Sequence, residues 1–368
     1  MVHLWQLRAH RPRHAGLRTT SWILLWAVAC FIPSPTAAAE PVEDTPLKKA
    51  VLIPQWQPQA QFAGFYVAYQ KGFYRDLGID LQIRRGGPES PSSHLLAEGE
   101  ADFGTMFLST AIEKRAQGLQ LVNIGQLVQC SSLMLIAKRS SGVFTPPDID
   151  GKHVGLWGAE FQIQPLAFFR KHHLKITPIP QAATVNLFLR GGTDVTSAMW
   201  YNEYHMILNA GINPEELTTF FFFDYDMNFP EDGIYCLEST LRRDPDLCCR
   251  FVQASLQGWR YAFQHPEEAL DIVMSHVDEA NIATDRVHQR WMFNRMRDLM
   301  VSRDCGAVVG AGRNAAATMI PTPVDSEFGN LDPTDYQRVA QELQAAGVID
   351  WIPDYGHFYQ GCVAAHEN

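Results

Sequence analysis

"LLAEGEADFGTMF" fills residues 95–107, and a rougher copy, "LFLRGGTDVTSAMW", fills residues 187–200. Each runs apolar residues into a glycine, places an aspartate three positions later (Gly99 and Asp102, Gly191 and Asp194) and continues into an apolar segment. Glycine accepts the left-handed backbone that ends a helix and turns the chain. Both stretches therefore read as the last turn of a helix, a tight turn and a strand. Around the first copy, "KKAVLIP" (48–54) reads as a strand, residues 64–71 as a helix stopped by Gly72, and "GIDLQI" (78–83) as an alternating strand. Ser92 can cap a helix over 93–98, and 103–108 reads as a third strand. Around the second copy, "GKHVGLW" (151–157) is a strand, 161–173 a helix interrupted at Pro165, 187–190 a helix end and 195–200 a strand. Strands alternating with helices predict a parallel sheet flanked by helices, and writing the pattern twice predicts two α/β lobes.

The C-terminal third reads as mostly helical. Asp244-Pro245 offers a capping acid followed by proline in the first turn. Leu247, Phe251, Val252, Leu256, Trp259 and Phe263 then recur at helical spacing as a buried face. A further helix starts near Pro266, and a terminal one spans 333–346.

With 368 residues, 46% hydrophobic and 19% charged, the chain can build two modest domains, each with its own core. The first stretch is different in kind. Residues 1–20 hold four arginines and no acid, residues 22–32 are apolar, and Thr36-Ala37-Ala38-Ala39 precedes Glu40. A basic region, a short apolar core and small residues describe an export leader over 1–39, cleaved after Ala39. A lipid anchor on Cys30 is the minor alternative. Removing four of the 30 basic residues leaves 26 against 40 acidic ones, a net charge of −14. Such a chain is unsuited to nucleic acid, whose affinity comes from neutralised phosphates, and to polybasic attachment at a membrane surface.

Seven cysteines are present, six of them after residue 39, and an exported chain meets an oxidising compartment. Connectivity is not readable from spacing; a Cys305–Cys362 bridge is one guess. There is no CxxC or HExxH, and the adjacent His172-His173 pair points to different sides of a helix, so no metal site is expected.

Four segments, "WQPQAQFAGFYVAYQKGFYRDLGIDLQI", "LLAEGEADFG", "GKHVGLWG" and "PDLCCRFVQASLQGWRYAFQHPEEAL", taken in order, resemble the NMT1/THI5-like proteins, and so does the later "LDPTDYQRVAQELQAAGVI". The resemblance runs from about residue 50 to the C-terminus. It implies a bilobed periplasmic-binding-protein type II fold, with two parallel-rich sheets flanked by helices and a ligand cleft between the lobes. On that basis, residues 1–39 are leader and 40–48 linker. Residues 49–138 begin lobe one, 139–236 form lobe two and 237–368 complete lobe one, with crossings near 138–142 and 235–240. An enzymatic branch of the family, the fungal pyrimidine synthases, consumes a histidine and holds pyridoxal phosphate on a lysine. The positions that match those residues here carry Met106 and Thr110. The branch's cysteine-rich CCCFC cluster is replaced by "DMNFPEDGIYC" (226–236).

Ligands of parallel sheets sit at the carboxyl ends of strands, which selects four loops: 55–62, 105–109, 158–162 and 200–203. In the first, Trp56 offers a stacking face and Gln57 and Gln61 offer amides that read a ring edge; a Trp packed at the strand end is the alternative. In the fourth, Trp200, Tyr201, Asn202 and Glu203 form the densest group. The Glu203 carboxylate can accept from an exocyclic amine and a ring N–H together, or it can sit unengaged at a helix start. Gly158 and Glu160 form the third loop, where Glu160 either binds or favours a helix dipole. Met106 and Ser109 come from the second. Tyr225 and Asn228 are placed on the hinge-side wall, with residues 220–223 in the core.

The resemblance and these loops together imply a periplasmic solute-binding protein of an ABC importer. It is expected to be monomeric, to need no cofactor or metal, and to hand an aminopyrimidine precursor of thiamine to an inner-membrane permease. Other readings are the pyridoxal-phosphate synthase, a sensory ligand-binding module, and a binding protein for riboflavin, a sulfonate or another heterocycle.

Overall fold

The computed structural model describes residues 46–301, 303–312 and 328–362. The expected leader, its cleavage site, Cys30 and most of the linker lie outside the described residues. Among the described residues, ten strands form two five-stranded sheets. The first holds β1 (Lys48–Ile53), β2 (Ile79–Ile83), β3 (Phe103–Phe107), β4 (Leu121–Gln126) and β10 (Asp232–Leu237) in the order β2-β1-β3-β10-β4. The second holds β5 (Leu133–Lys138), β6 (His153–Leu156), β7 (Thr177–Pro180), β8 (Val195–Met199) and β9 (Leu217–Phe221) in the order β7-β6-β8-β5-β9. In each sheet the first three strands are parallel, and the fourth, arriving from the other half, pairs antiparallel with the third and the fifth.

The repeated sequence does the same work in both sheets. Gly99 and Gly191 have φ of 72° and 77°, the left-handed turn each copy requires. The Asp102 carboxylate accepts from the Val51 backbone N–H at 3.0 Å, and Asp194 accepts from His153 N–H at 2.9 Å. The Asp102 and Asp194 N–H groups donate back to Val51 and His153 carbonyls at 3.0 and 2.9 Å. Each aspartate thus brackets the neighbouring parallel strand and sets its register. The duplication is architectural.

The helix Pro245–Gln264 buries Leu247, Phe251, Val252, Leu256, Trp259 and Phe263, as the spacing required. It crosses the helix Ala63–Gln70 so closely that a Cβ on Gly258 would stand 2.1 Å from the Gly64 carbonyl oxygen. Phe251 stacks on Phe103 at 3.9 Å and on Tyr74 at 5.3 Å, tying that helix to the first sheet.

The crossings differ from the expected ones. β5 already belongs to the second sheet and β10 to the first, so the chain changes sheet at residues 127–132 and 222–231. "LMLIAK" and "DGIYCL" read as strands, but nothing in their hydropathy says which sheet they join. The two crossings are bound together: Leu127 and Val128 N–H groups donate to the Asp232 carbonyl, and Glu231 N–H donates to the Val128 carbonyl. The buried Glu231 carboxylate accepts from Ser132 N–H at 2.5 Å, Leu133 N–H at 2.9 Å and Ser132 Oγ at 2.8 Å. Asn228 holds Ser131 N–H and the Gln129 carbonyl from the other side.

The disulfides also differ from the guess. Cys305 bonds Cys130 in the first crossing, and Cys362 bonds Cys249. Cys236 and Cys248 are buried free thiols. Loop closure over 175 and 113 residues leaves no trace in local sequence. No helix among the described residues is long and apolar enough to cross a membrane.

Candidate functional site

Between the sheets, at the carboxyl ends of β1, β6 and β8, lies a narrow cavity. Gln55, Trp56, Gln59 and Gln61 come from the loop after β1, Trp157 and Phe161 from the segment after β6, and Met199, Tyr201, Asn202 and Glu203 from the end of β8. Trp56 from one half meets Phe161 from the other edge-on at 5.4 Å, and Phe161 also meets Phe107 at 5.5 Å and Trp157 at 6.4 Å. These contacts span the cleft, so the halves are closed on each other. Trp56 also borders two further compartments, a mostly apolar one toward Glu160 and one of mixed polarity toward His288.

The floor is a fixed chain of amides. Gln55 and Gln61 both donate Nε2–H to the buried Asp232 carboxylate, Gln61 at 2.7 Å. Gln59 donates to Gln61 Oε1 at 2.5 Å. A carboxylate only accepts, so Asp232 orients both amides. Gln61 Oε1 is thereby taken, while Gln55, which also lines the cavity, accepts no side-chain hydrogen bond at Oε1 among the described residues. Burial pushes the Asp232 carboxyl up to about 7, against the two amides that favour its charged form.

Glu203 opens the helix Glu203–Asn209 and is 4% exposed. Its carboxylate accepts from Met199 N–H at 2.9 Å and Asn202 Nδ2–H at 2.8 Å. Burial pushes it up to about 7 against these donors. With two oxygens and about four lone-pair sites, it retains capacity for a ligand donor. The cavity therefore presents acceptors, Gln55 Oε1 and Glu203, between aromatic walls.

Of the residues singled out from sequence, Trp56, Gln61, Tyr201, Asn202 and Glu203 line this cavity, Gln57 lines the compartment toward His288, and Gly158 and Glu160 line the other. Glu160 accepts from Ser93 Oγ–H at 2.7 Å across the cleft. The remainder are placed elsewhere. Trp200 is fully buried, edge-on to Phe221 at 6.2 Å and beneath the Arg295 guanidinium at 4.9 Å. Met106 and Ser109 are buried outside these cavities. Tyr225 packs on Phe168 and His172, and Asn228 serves the crossings. Trp200 and Tyr201 lie in the turn between β8 and the helix Glu203–Asn209, where Trp200 packs on Phe221 and Tyr201 lines the cavity. Gln55, Gln59, Trp157, Phe161 and His288 were missed; glutamine at every second position of "QWQPQAQ" (55–61) was the available signal for the first two.

A sequence profile described as NMT1/THI5 like matches residues 59–269. The riboflavin-binding protein RibY of Chloroflexus aurantiacus is 24% identical over 71% of this chain and 77% of its own. The formylaminopyrimidine-binding protein of Halalkalibacterium halodurans is 22% identical over 65% and 74%. The 4-amino-5-hydroxymethyl-2-methylpyrimidine phosphate synthase of Legionella pneumophila is 28% identical over 61% and 72%. Among solved structures, the periplasmic aliphatic sulphonate binding protein SsuA of Escherichia coli superposes with a TM-score of 0.61 at 13% identity, covering 85% of this chain and 92% of that one. That likeness establishes a periplasmic-binding-protein fold. More than half of the chain matches the family profile, and the protein belongs to the NMT1/THI5-like family.

Proposed function

We propose that the protein is the solute-binding component of an ABC importer and captures an aminopyrimidine in the cleft between its two sheets. The observation that carries this reading is the pair of acceptor-bearing side chains in one cavity: Gln55, whose Nε2–H is committed to Asp232, and the buried Glu203 carboxylate both line it. An aminopyrimidine supplies what that pair lacks, an exocyclic N–H and a protonatable ring edge, while its faces suit Trp56, Trp157 and Phe161. A relative named for formylaminopyrimidine binding supports the choice. None of the residues lining the three cavities is Lys or Arg, which disfavours a sulfonate.

Riboflavin is the second reading, favoured by the two compartments beside the aromatic slot, one mostly apolar and one of mixed polarity, and by a relative named for riboflavin binding. The synthase reading fits poorly. Pyridoxal phosphate held as an imine needs a lysine at the site, and the matching position is Met106, fully buried within β3. Thr110 at the histidine position is buried in the helix Leu108–Ala116.

A thermal-shift panel of formylaminopyrimidine, riboflavin and an alkanesulfonate separates these readings. A ligand at a hundredfold over its dissociation constant adds about 2.7 kcal/mol of stability. Stabilisation by the pyrimidine alone is expected; stabilisation by riboflavin or the sulfonate with none by the pyrimidine overturns the assignment.

A further inference from the structure

Away from the aromatic slot, the two halves meet a second time through a pair of imidazoles. His205 stands on the helix Glu203–Asn209, which follows β8 of the second sheet. His288 stands on the helix Arg286–Val301, which is anchored to the first half where Gln289 Oε1 accepts from Ala60 N–H at 2.7 Å. The two Nδ1 atoms are 2.9 Å apart and the rings stack at 5.1 Å, with both side chains buried.

The proton positions follow from the neighbours. Glu203 accepts from Asn202 Nδ2–H, which turns Asn202 Oδ1 toward His288 Nε2 at 2.7 Å. An amide oxygen only accepts, so His288 Nε2 carries a proton. In a neutral ring His288 Nδ1 is then the acceptor, and His205 Nδ1–H is the donor across the cleft. Asn209 Nδ2 stands 3.3 Å from that same His205 nitrogen, a longer contact than the 2.9 Å between the two rings. A single chain of hydrogen bonds therefore runs from the ligand-facing Glu203 through Asn202 and His288 to His205.

We infer that this imidazole pair is a pH-sensitive clasp between the two halves, closed while the rings share one proton on the facing nitrogens and opened when His288 Nδ1 takes a second. A proton on both nitrogens places two N–H groups face to face at a distance suited to one hydrogen bond, and leaves His288 as a buried imidazolium. The groups around the pair are few. The Asp285 carboxylate, at the start of His288's helix, accepts from His288 N–H at 2.9 Å and favours the charged form of both rings. The Glu203 carboxylate is reached only through Asn202. Trp291 stacks on His205 at 4.7 Å, and the Arg295 guanidinium lies over the Trp291 ring at 4.9 Å, one ring removed from the pair. Burial outweighs Asp285 in both cases: it lowers His288, and together with His288's charge it lowers His205 to about 4.

The sign follows. Both imidazoles titrate lower when the cleft is closed than when it is open, so closure binds fewer protons. It is at full strength above about 6.5, the ordinary imidazole value, and weakens as pH falls toward about 4. The clasp stands apart from the identity of the ligand, and the test uses none.

Small-angle X-ray scattering on the full mature chain, from pH 7.5 to 4.5, reads it directly. The wild-type radius of gyration is expected to rise on acidification, while H288Q, which keeps a hydrogen-bonding side chain but does not titrate, holds one value over the same range. H205Q serves as the second variant, and near-UV circular dichroism at pH 7.5 confirms that each variant is folded. A wild-type radius that stays constant, or an equal rise in folded H288Q or H205Q, overturns the clasp.

Discussion

Asp232→Asn tests the logic of the cavity floor. Asparagine keeps the size of the side chain but replaces one acceptor with a donor, so one of the two glutamine amides facing it must rotate. Gln61 resists, because its Oε1 also accepts from Gln59. Gln55 has no second side-chain bond to lose, so it is the one that turns, with its oxygen toward the new amide and its NH₂ toward the cavity. The number of hydrogen bonds inside the protein is conserved and a buried carboxyl is removed, so unfolding stability should change by less than about 1 kcal/mol. Binding should change much more. A ligand N–H that met an oxygen now meets another N–H, a loss of about 1–3 kcal/mol, or roughly 5- to 150-fold in dissociation constant. Isothermal titration of formylaminopyrimidine measures this, with denaturant unfolding as the control. Unchanged affinity in the folded variant would refute the orienting role of Asp232. A stability loss of several kcal/mol would show instead that the amide chain cannot turn.

Three other outcomes follow from the geometry. Glu203 is held near 7 by burial and a ligand donor favours its charged form, so affinity for an uncharged aminopyrimidine should weaken below pH 7, by at most about tenfold per pH unit; calorimetry at pH 7 in buffers of different ionisation enthalpy should register proton release, and proton uptake contradicts the assignment. Gly258→Ala forces apart helices whose backbones nearly touch and should cost about 1–3 kcal/mol in thermal or denaturant unfolding; an unshifted midpoint would show that the crossing has slack. Cys130→Ser removes the tie between the first crossing and the helix Cys305–Gly312 and should lower stability by about 2–4 kcal/mol, read as a fall in melting temperature under non-reducing conditions; no difference from wild type would mean that the bridge contributes nothing to folding.

Much of the fold was legible because its signals are local. A glycine in the left-handed region and an aspartate three residues later mark the same helix-turn-strand corner in both sheets, and the heptad-like apolar face of Pro245–Gln264 reported its own burial. The crossings were not legible, since β5 and β10 look like any strand and their sheet membership is decided by partners far away in sequence. The site was read in part. The strand-end rule named Trp56, Gln61, Tyr201, Asn202 and Glu203, which line the cavity, and also Trp200, which is buried against Phe221 in the turn after β8. Asn228 was read as a cleft residue because it lies beside the second crossing, whereas its amide is consumed in holding the crossings together. His288 was invisible, since its role depends on His205, 83 residues away.

The central claim is that the closed cleft grips a donor-bearing ring through one buried carboxylate. Titration of formylaminopyrimidine into wild type and Glu203→Gln at pH 7.5 tests it most directly. The account predicts one site per chain in wild type and at least a tenfold weaker constant in the variant, the scale of a lost charge-assisted hydrogen bond. Equal constants in the two proteins, or no heat of binding in folded wild type, would contradict it.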